Sequence, residues 1–289
     1  MSYWVNGQLC QQISVTDRAV SFGDGCFTTI HGVNQQAKML NEHIVRLKHD
    51  SQRLKIAQPD WERLAEHLKQ VCAEQTQDEF VVKVIISRGT GGRGYSSKGF
   101  TSPTVIVSVS PFPNNYVQLQ CKGANLVLSQ IPLARNPLLA GMKHLNRLEQ
   151  VLIKQEVDEL NADEAIVLDT DGIIVECCSA NVFWRIGQTV YTPVLSHSGV
   201  NGLMRQKIIS LLQDSQYHLQ QVERFANVLT HCDEVVICNA LMPVLPVQSI
   251  RMDKQLPPLQ FASRELFEYL FYATNLVFIN ELNYYQYTH

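Results

Sequence analysis

Hydrophobic and polar positions along the chain alternate between strand-like and helix-like spacing, in mixed order. CFTTIHGV (26–33) and AKML (37–40) flank the polar NQQ, the pattern of a β-hairpin. Over 42–55, Ile44, Leu47, Ser51 and Leu54 share one face at helical spacing. A second helix is predicted over 60–75, opening after Pro59 and Asp60. FVVKVIIS (80–87) is almost unbroken apolar and β-branched, as a buried strand is. The glycine-rich RGTGGRGY (88–95) ends it, and PTVIVSVS (103–110) is the next strand. PFPNNY (111–116), with two prolines and two asparagines, reads as a linker.

Beyond the linker, ANLVLSQI (124–131) reads as a strand. The loop ARNPLLAGMK leads to a helix over about 144–160, with Leu145, Leu148, Val151 and Leu152 on its apolar face. EAIVLD, the turn TDG, IIVECC, NVFWRI and QTVYTP follow as strands and turns. A helix over about 202–214 opens after GVNG, and EVVICNA (234–240) and MPVLPVQSI (242–250) close the pattern. The final segment, 276–289, is rich in Tyr and Asn and reads as a frayed tail. Hairpins mixed with helices imply an α+β class in two domains, 1–115 and 116–289. There is no internal repeat and no low-complexity segment.

Composition narrows the function classes. With 289 residues, 45% hydrophobic and 18% charged, the chain suits an ordinary soluble protein with a sizeable core. A net charge of −3 supplies no basic field and argues against nucleic acid as a partner. No window approaches the roughly 18 apolar residues of a membrane span. MSYWVNGQ has neither the basic nor the apolar region of a secretory signal, so the eight cysteines, none in a CxxC pair, are expected as reduced cytoplasmic thiols. The histidines show no metal-ligand spacing, and no GxSxG or Cys/His nucleophile pattern occurs.

Several residues can carry chemistry, each with an ordinary reading beside it. Lys143, in NPLLAGMKHLNRLEQ, follows an apolar run that suits a Schiff-base amine kept near a low-dielectric site. On spacing alone, however, it is one of eleven lysines. Glu176, among small and apolar residues in VECCSANVFW, could keep a pyridine-type nitrogen protonated, or could be a strand-end glutamate. GVNGLMRQK sets a polar turn before a helix, where free N–H groups favour an anion, though most helix starts bind nothing. CNALMP is a second small-residue loop after a strand. Arg46 lies off the Ile44/Leu47/Leu54 stripe, so periodicity alone leaves it solvated. Arg88, Arg93 and Tyr95 surround the glycines of 88–95, where arginines could grip carboxylates in bidentate fashion.

SVTDRAVSFGDGCFTT, HIVRL, SRGTGGRGY, NPLLAGMKHLNRLEQ, NADEAIVLD, ECCSANVFW, GVNGLMRQ and DEVVICNALMPV occur in one order over roughly residues 3 to 250. As a set they resemble the fold-type IV pyridoxal 5′-phosphate (PLP) enzymes, the family of D-amino-acid and branched-chain transaminases. The resemblance implies a homodimer with PLP held at the interface between the two domains. It makes Lys143 the cofactor lysine, Glu176 the partner of the pyridine nitrogen and Arg46 a phosphate ligand, against the helix-wheel reading. It assigns backbone phosphate contacts to Gly202, Leu203, Met204, Ala240 and Leu241, and packing on the ring to Val200.

Within the family, D-amino-acid transaminases place Tyr then Glu after the FGDG turn, where this chain has Phe27 and Thr28 after Cys26. Their Arg-x-His carboxylate trap reads Arg93-Gly94-Tyr95 here. FGDGCFTT, GGRGY, AGMKHLNRLEQ and CNALMPV are most similar to the family's lyase branch. That likeness implies cleavage of 4-amino-4-deoxychorismate to 4-aminobenzoate and pyruvate on the route to folate, with Arg93, Tyr95 and Thr28 as substrate contacts. A transaminase of the same family and a non-catalytic anion-binding protein are the other readings.

Overall fold

The computed structural model describes residues 1–275; the tail expected to fray, 276–289, lies outside the described residues. The chain forms two compact units. One is Met1–Pro113 with Met142–Asn146, and the other is Asn114–Gly141 with the chain from Arg147 onward. An expected boundary at 115/116 assigns the lysine segment to the second domain, whereas 142–146 packs with the first unit.

The first unit runs β1 (Ser2–Val5), β2 (Gln8–Leu9), α1 (Arg18–Phe22), β3 (Gly25–Val33), β4 (Gln36–Ala37), α2 (Leu40–Arg53), α3 (Trp61–Ala73), β5 (Glu79–Ser87) and β6 (Thr104–Pro111). Its strands form one antiparallel sheet in the order β2-β1-β6-β5-β3-β4. The β3–β4 hairpin turns on Asn34 and Gln35, both at positive φ (47° and 62°), as a two-residue turn with the right twist requires. The β1–β2 hairpin turns on Asn6-Gly7 in the same way (52° and 80°). That Asn-Gly pair is a strong local hairpin signal within residues left unassigned above. Only the first residue of AKML is strand: Met39 adopts φ 53° and Leu40 opens α2.

One face of this sheet is apolar. Cys26 and Ile30 of β3 and Phe80, Val82, Val84 and Ile86 of β5 pack with Leu47, Leu64, Leu68 and Val71 of α2 and α3. Asp60 caps α3 by accepting from the Arg63 N–H at 3.0 Å. In α2 the buried set is Leu40, His43, Leu47, Asp50 and Ser51, so three polar residues share the inward face with two leucines. Buried polar groups of this kind carry more information than the leucines beside them.

The second unit comprises α4 (Tyr116–Lys122), β7 (Ala124–Leu128), α5 (Leu148–Glu159), β8 (Glu164–Leu168), β9 (Ile174–Cys177), β10 (Asn181–Ile186), β11 (Thr189–Pro193), α6 (Leu203–Gln213), β12 (His218–Val222), a 3-10 turn (Ala226–His231), β13 (Glu234–Cys238), β14 (Leu245–Arg251) and β15 (Leu259–Gln260). A further helical run covers 265–275. The sheet order is β12-β11-β10-β13-β14-β7-β8-β9, with β15 beside β14. α4 begins at the last residue of the expected linker.

The helix predicted over 144–160 starts four residues later and turns its other face inward. Ile153 and Val157 pack with Val127, Leu133, Ala165, Val167 and Val175. Leu148, Val151 and Leu152, expected inside, are 78%, 61% and 51% exposed. Carboxylates on the packed side fix this rotation: Glu156 accepts from the Ser129 hydroxyl at 2.6 Å, and Glu149 from the Ala134 N–H at 2.8 Å. Leu145 is not helical at all, because 143–145 runs extended along β3. The α+β class with two parts is as expected. No helix among the described residues is long and apolar enough to cross a membrane.

Candidate active site

In the first unit the lysine segment is held against β3 as a short extra strand. The Phe27 N–H donates to the Lys143 carbonyl and the Leu145 N–H to the Gly25 carbonyl, each at 2.9 Å, around a bridge between Cys26 and His144. From the other side, the Lys143 N–H donates to Asp50 Oδ2 of α2 at 3.1 Å. Lys143 Nζ stands 4.7 Å from the centre of the Phe27 ring, a cation–π distance.

Strand alternation decides what faces the lysine. Phe27 is on the open face of β3, while Cys26, Thr28 and Ile30 turn to the core. Thr28 is wholly buried, and its hydroxyl lies 2.6 Å from His43 Nδ1. Expected as a substrate contact, Thr28 is committed to His43 instead. His43 is buried, and burial first, then the charges of Arg46 and Lys143, push its pKa well below the ordinary value. The imidazole is therefore neutral beside two cations. Burial likewise drives the Cys26 thiol up to about 12, so it is not a nucleophile near neutral pH.

Arg46 is not solvated, as the helix wheel suggested. Its Nη2 is buried without a hydrogen-bond partner, and burial lowers its pKa to about 10 against the opposing pull of Asp50. A buried guanidinium with an unused donor is costly unless an anion meets it.

Arg88, Arg93 and Tyr95 separate into two roles. Arg88 is buried and structural: it grips Asp24 with Nε and Nη2 at 2.8 and 3.1 Å and donates to the Lys55 and Leu54 carbonyls at the end of α2. Arg93 and Tyr95 lie exposed on the glycine loop.

In the second unit, Glu176 of β9 is 5% exposed, and its Oε2 accepts from the Val200 N–H at 2.8 Å. The Val200 carbonyl accepts from Asn181 Nδ2 at 2.9 Å. Glu176, Val200 and Asn181 thus form one connected set around the turn that opens α6. Gly202 is the N-cap of α6 and has no side-chain cap, so the N–H groups of the first turn remain available. Only glycine fits there, since a Cβ would overlap Asn181 Oδ1. Arg205 braces the same turn: it donates to Asn201 Oδ1 at 2.9 Å and to the Pro193 carbonyl and Gln221 Oε1 at 2.8 Å.

The Ala240–Leu241 loop flanks the other side of Asn181, whose backbone pairs with Cys238. Asn239 Oδ1 accepts from the Leu241 and Met242 N–H groups at 2.9 and 2.8 Å, so the Leu241 amide expected at a phosphate is already engaged. Asn181, Arg205, Asp50 and His43 escaped sequence reading. Asn181 was within reach, lying in the ANVF motif beside Glu176.

Residues 25–250 match the amino-transferase class IV family. The chain belongs to the class IV aminotransferases. Among class IV relatives, an aminodeoxychorismate lyase of Vibrio harveyi is 38% identical over 249 residues, covering 86% of this chain and 91% of that protein. The crystal structure of 4-amino-4-deoxychorismate lyase from Pseudomonas aeruginosa superposes with a TM-score of 0.84 at 32% identity, covering 93% of this chain and 97% of that one. The branched-chain amino acid aminotransferase of Escherichia coli superposes equally well, at 0.84, with 21% identity and coverage of 96% and 94%. At that identity it shows the class IV fold alone.

Proposed function

We propose that the chain is a PLP-dependent lyase that converts 4-amino-4-deoxychorismate to 4-aminobenzoate and pyruvate, a step toward folate. The observation that carries this reading is the 38% identity, over most of both chains, to a protein named aminodeoxychorismate lyase. The fold does not discriminate, because the same architecture hosts a transaminase.

The residues fit PLP. Its phosphate needs buried positive charge, and Arg46 has an unpartnered buried donor. Its ring nitrogen needs a buried carboxylate, which Glu176 supplies. Lys143 and Arg46 belong to the first unit, and Glu176, Val200, Gly202, Leu203, Met204 and Ala240 to the second.

When bound, PLP supplies the electron sink for a substrate carbanion. Lys143 Nζ takes the proton from the carbon bearing the substrate nitrogen, help of a kind worth roughly two to four powers of ten in rate. Glu176 keeps the ring-nitrogen proton in place. Arg46 and the first-turn amides of α6 bind the phosphate, and Val200 packs on the ring. Arg93 and Tyr95 bind the substrate's carboxylates. Breaking the substrate's C–O bond releases enolpyruvate, which becomes pyruvate, and leaves an aromatic ring, so the elimination is favourable.

Incubation with 4-amino-4-deoxychorismate tests the reading: 4-aminobenzoate and pyruvate should appear in equal amounts, and Lys143→Ala should abolish both products and the near-visible absorbance of the PLP-loaded protein. D-glutamate formed from D-alanine and 2-oxoglutarate, without 4-aminobenzoate from the first assay, would favour the transaminase. The reading also includes a cytoplasmic homodimer, whose assembly sedimentation measures.

A further inference from the structure

The loop that carries Arg93 and Tyr95 cannot hold itself. Five of its glycines, at 89, 91, 92, 94 and 99, adopt positive φ, and no helix or strand forms between β5 and β6. Tyr95 is 88% exposed. Yet the backbone of the loop tip closes on one buried guanidinium. Arg18, 5% exposed, donates through Nη1 to the carbonyls of Gly94 (2.9 Å) and Ser96 (3.3 Å) and through Nη2 to that of Tyr95 (3.4 Å). Its Nε donates to Asp24 Oδ2 at 2.7 Å, and the rings of Phe22 and Phe100 stand 4.7 and 5.3 Å from its centre. The Arg18 N–H also donates to the Gly89 carbonyl at 3.1 Å, fixing the loop's base.

We propose that Arg18 is a positioning residue: it sets the conformation of residues 93–96, and so the affinity for the substrate's carboxylates, without touching substrate. The planar fork is what the task needs, since three successive carbonyls and one carboxylate meet a single side chain, and a lysine ammonium cannot reach that set. The anchor is itself anchored. Asp24 is shared with Arg88, which is tied to the end of α2, the helix of Arg46 and Asp50. Burial pushes the Asp24 carboxyl up, but Arg88 and Arg18 outweigh it and hold the group below its ordinary value, keeping it charged. Tyr95 rests its ring on Phe22 at 5.4 Å, so its direction follows from the same support.

The inference rests on the reading of Arg93 and Tyr95 as substrate contacts, and its test separates the two. PLP-loaded Arg18→Lys and Phe100→Ala are compared with the unaltered protein for trypsin cleavage after Arg93 and Lys98, and for KM and kcat with 4-amino-4-deoxychorismate. Phe100 is half-buried, so its variant decides the matter if Arg18→Lys fails to fold. Expected are cleavage faster at those two sites, a KM raised about tenfold as charged hydrogen bonds are lost, and a kcat within about threefold. Unchanged cleavage overturns the proposal. So does faster cleavage with unchanged KM when Arg93→Ala does raise KM; in that case the substrate reading stands and only the role of Arg18 falls. If Arg93→Ala also leaves KM unchanged, the loop has no substrate role and the proposal falls with it, while the product assay still decides the reaction.

Discussion

The backbone N–H of Lys143 donates to the carboxylate of Asp50 at 3.1 Å, which ties the lysine segment to the helix that carries Arg46. With the Phe27 N–H on the Lys143 carbonyl, the lysine backbone is held on both sides. Asp50→Ala leaves a buried N–H unsatisfied, at a cost of roughly 1–3 kcal/mol in stability. It also frees the segment to shift, and small misplacements of a reacting amine lower kcat on the order of tenfold to a hundredfold. Asp50→Asn keeps an acceptor and should retain most of the rate. Steady-state kinetics on the two variants checks this; equal losses in both would point to charge rather than to the hydrogen bond.

Arg46 predicts a trade between stability and cofactor binding. Its buried, unpartnered Nη2 is a liability until an anion meets it. Arg46→Met should raise the stability of the PLP-free protein by roughly 1–3 kcal/mol, the cost of such an unmade hydrogen bond. The same change should weaken PLP binding about tenfold or more, since charge-assisted bonds to phosphate are the strong ones. Equilibrium binding of PLP and of phosphate-free pyridoxal separates the cause: only PLP should lose affinity. A parallel loss for pyridoxal would remove Arg46 from the phosphate site.

Much of this layout was legible because strands and helices on this chain obey simple periods. β5, β6 and α6 lie within a residue or two of their predicted spans. The failures have physical causes. The apolar stripe Leu148/Val151/Leu152 lies outside because carboxylates of the same helix bind backbone and hydroxyl groups of the preceding loop, contacts that periodicity does not record. Arg46 lies off the apolar stripe, yet its Nη2 is buried, while His43 and Asp50 sit on the stripe itself as polar residues, where an apolar count passes over them. Lys143 was recoverable only from the ordered motifs, since its neighbours, Phe27 of β3 and Asp50 of α2, are distant in sequence. Arg18 lies within the motif SVTDRAVSFGDGCFTT, but the loop carbonyls it holds are more than seventy residues away, beyond the reach of any local pattern.

Gly202 is required by close approach rather than by unusual backbone, since its φ is −61°. Gly202→Ala drives a Cβ into Asn181 Oδ1, so Asn181 must move and its bond to the Val200 carbonyl is strained. Overpacking of this kind costs about 1–3 kcal/mol. Val200 is also the residue whose N–H binds Glu176, so the disturbance reaches the carboxylate. Thermal unfolding should show the lost stability, and PLP titration a weaker affinity. An unchanged PLP affinity in a destabilised Gly202→Ala protein would detach this turn from the cofactor.

His43 makes stability depend on pH in a predictable direction. Burial, then the Arg46 and Lys143 charges, hold its folded pKa well below the 6.5 of an ordinary histidine. On acidification the unfolded chain therefore takes up this proton first. The contribution of a neutral His43 is fully present above pH 6.5 and is lost as the pH falls below it, by up to about 1.4 kcal/mol per pH unit for one proton. Its neighbours are the Thr28 hydroxyl, Arg46 and Lys143, and the two charges oppose protonation of the ring. His43→Gln keeps an amide for the Thr28 hydroxyl and removes the titration. His31, which burial and then Lys38 push down to about 3, is common to both proteins and drops out of the comparison. Urea unfolding at about pH 7.5 and about pH 5.5 should show the unaltered protein losing more stability on acidification than His43→Gln. Parallel losses in the two proteins would mean that His43 is not held neutral in the fold.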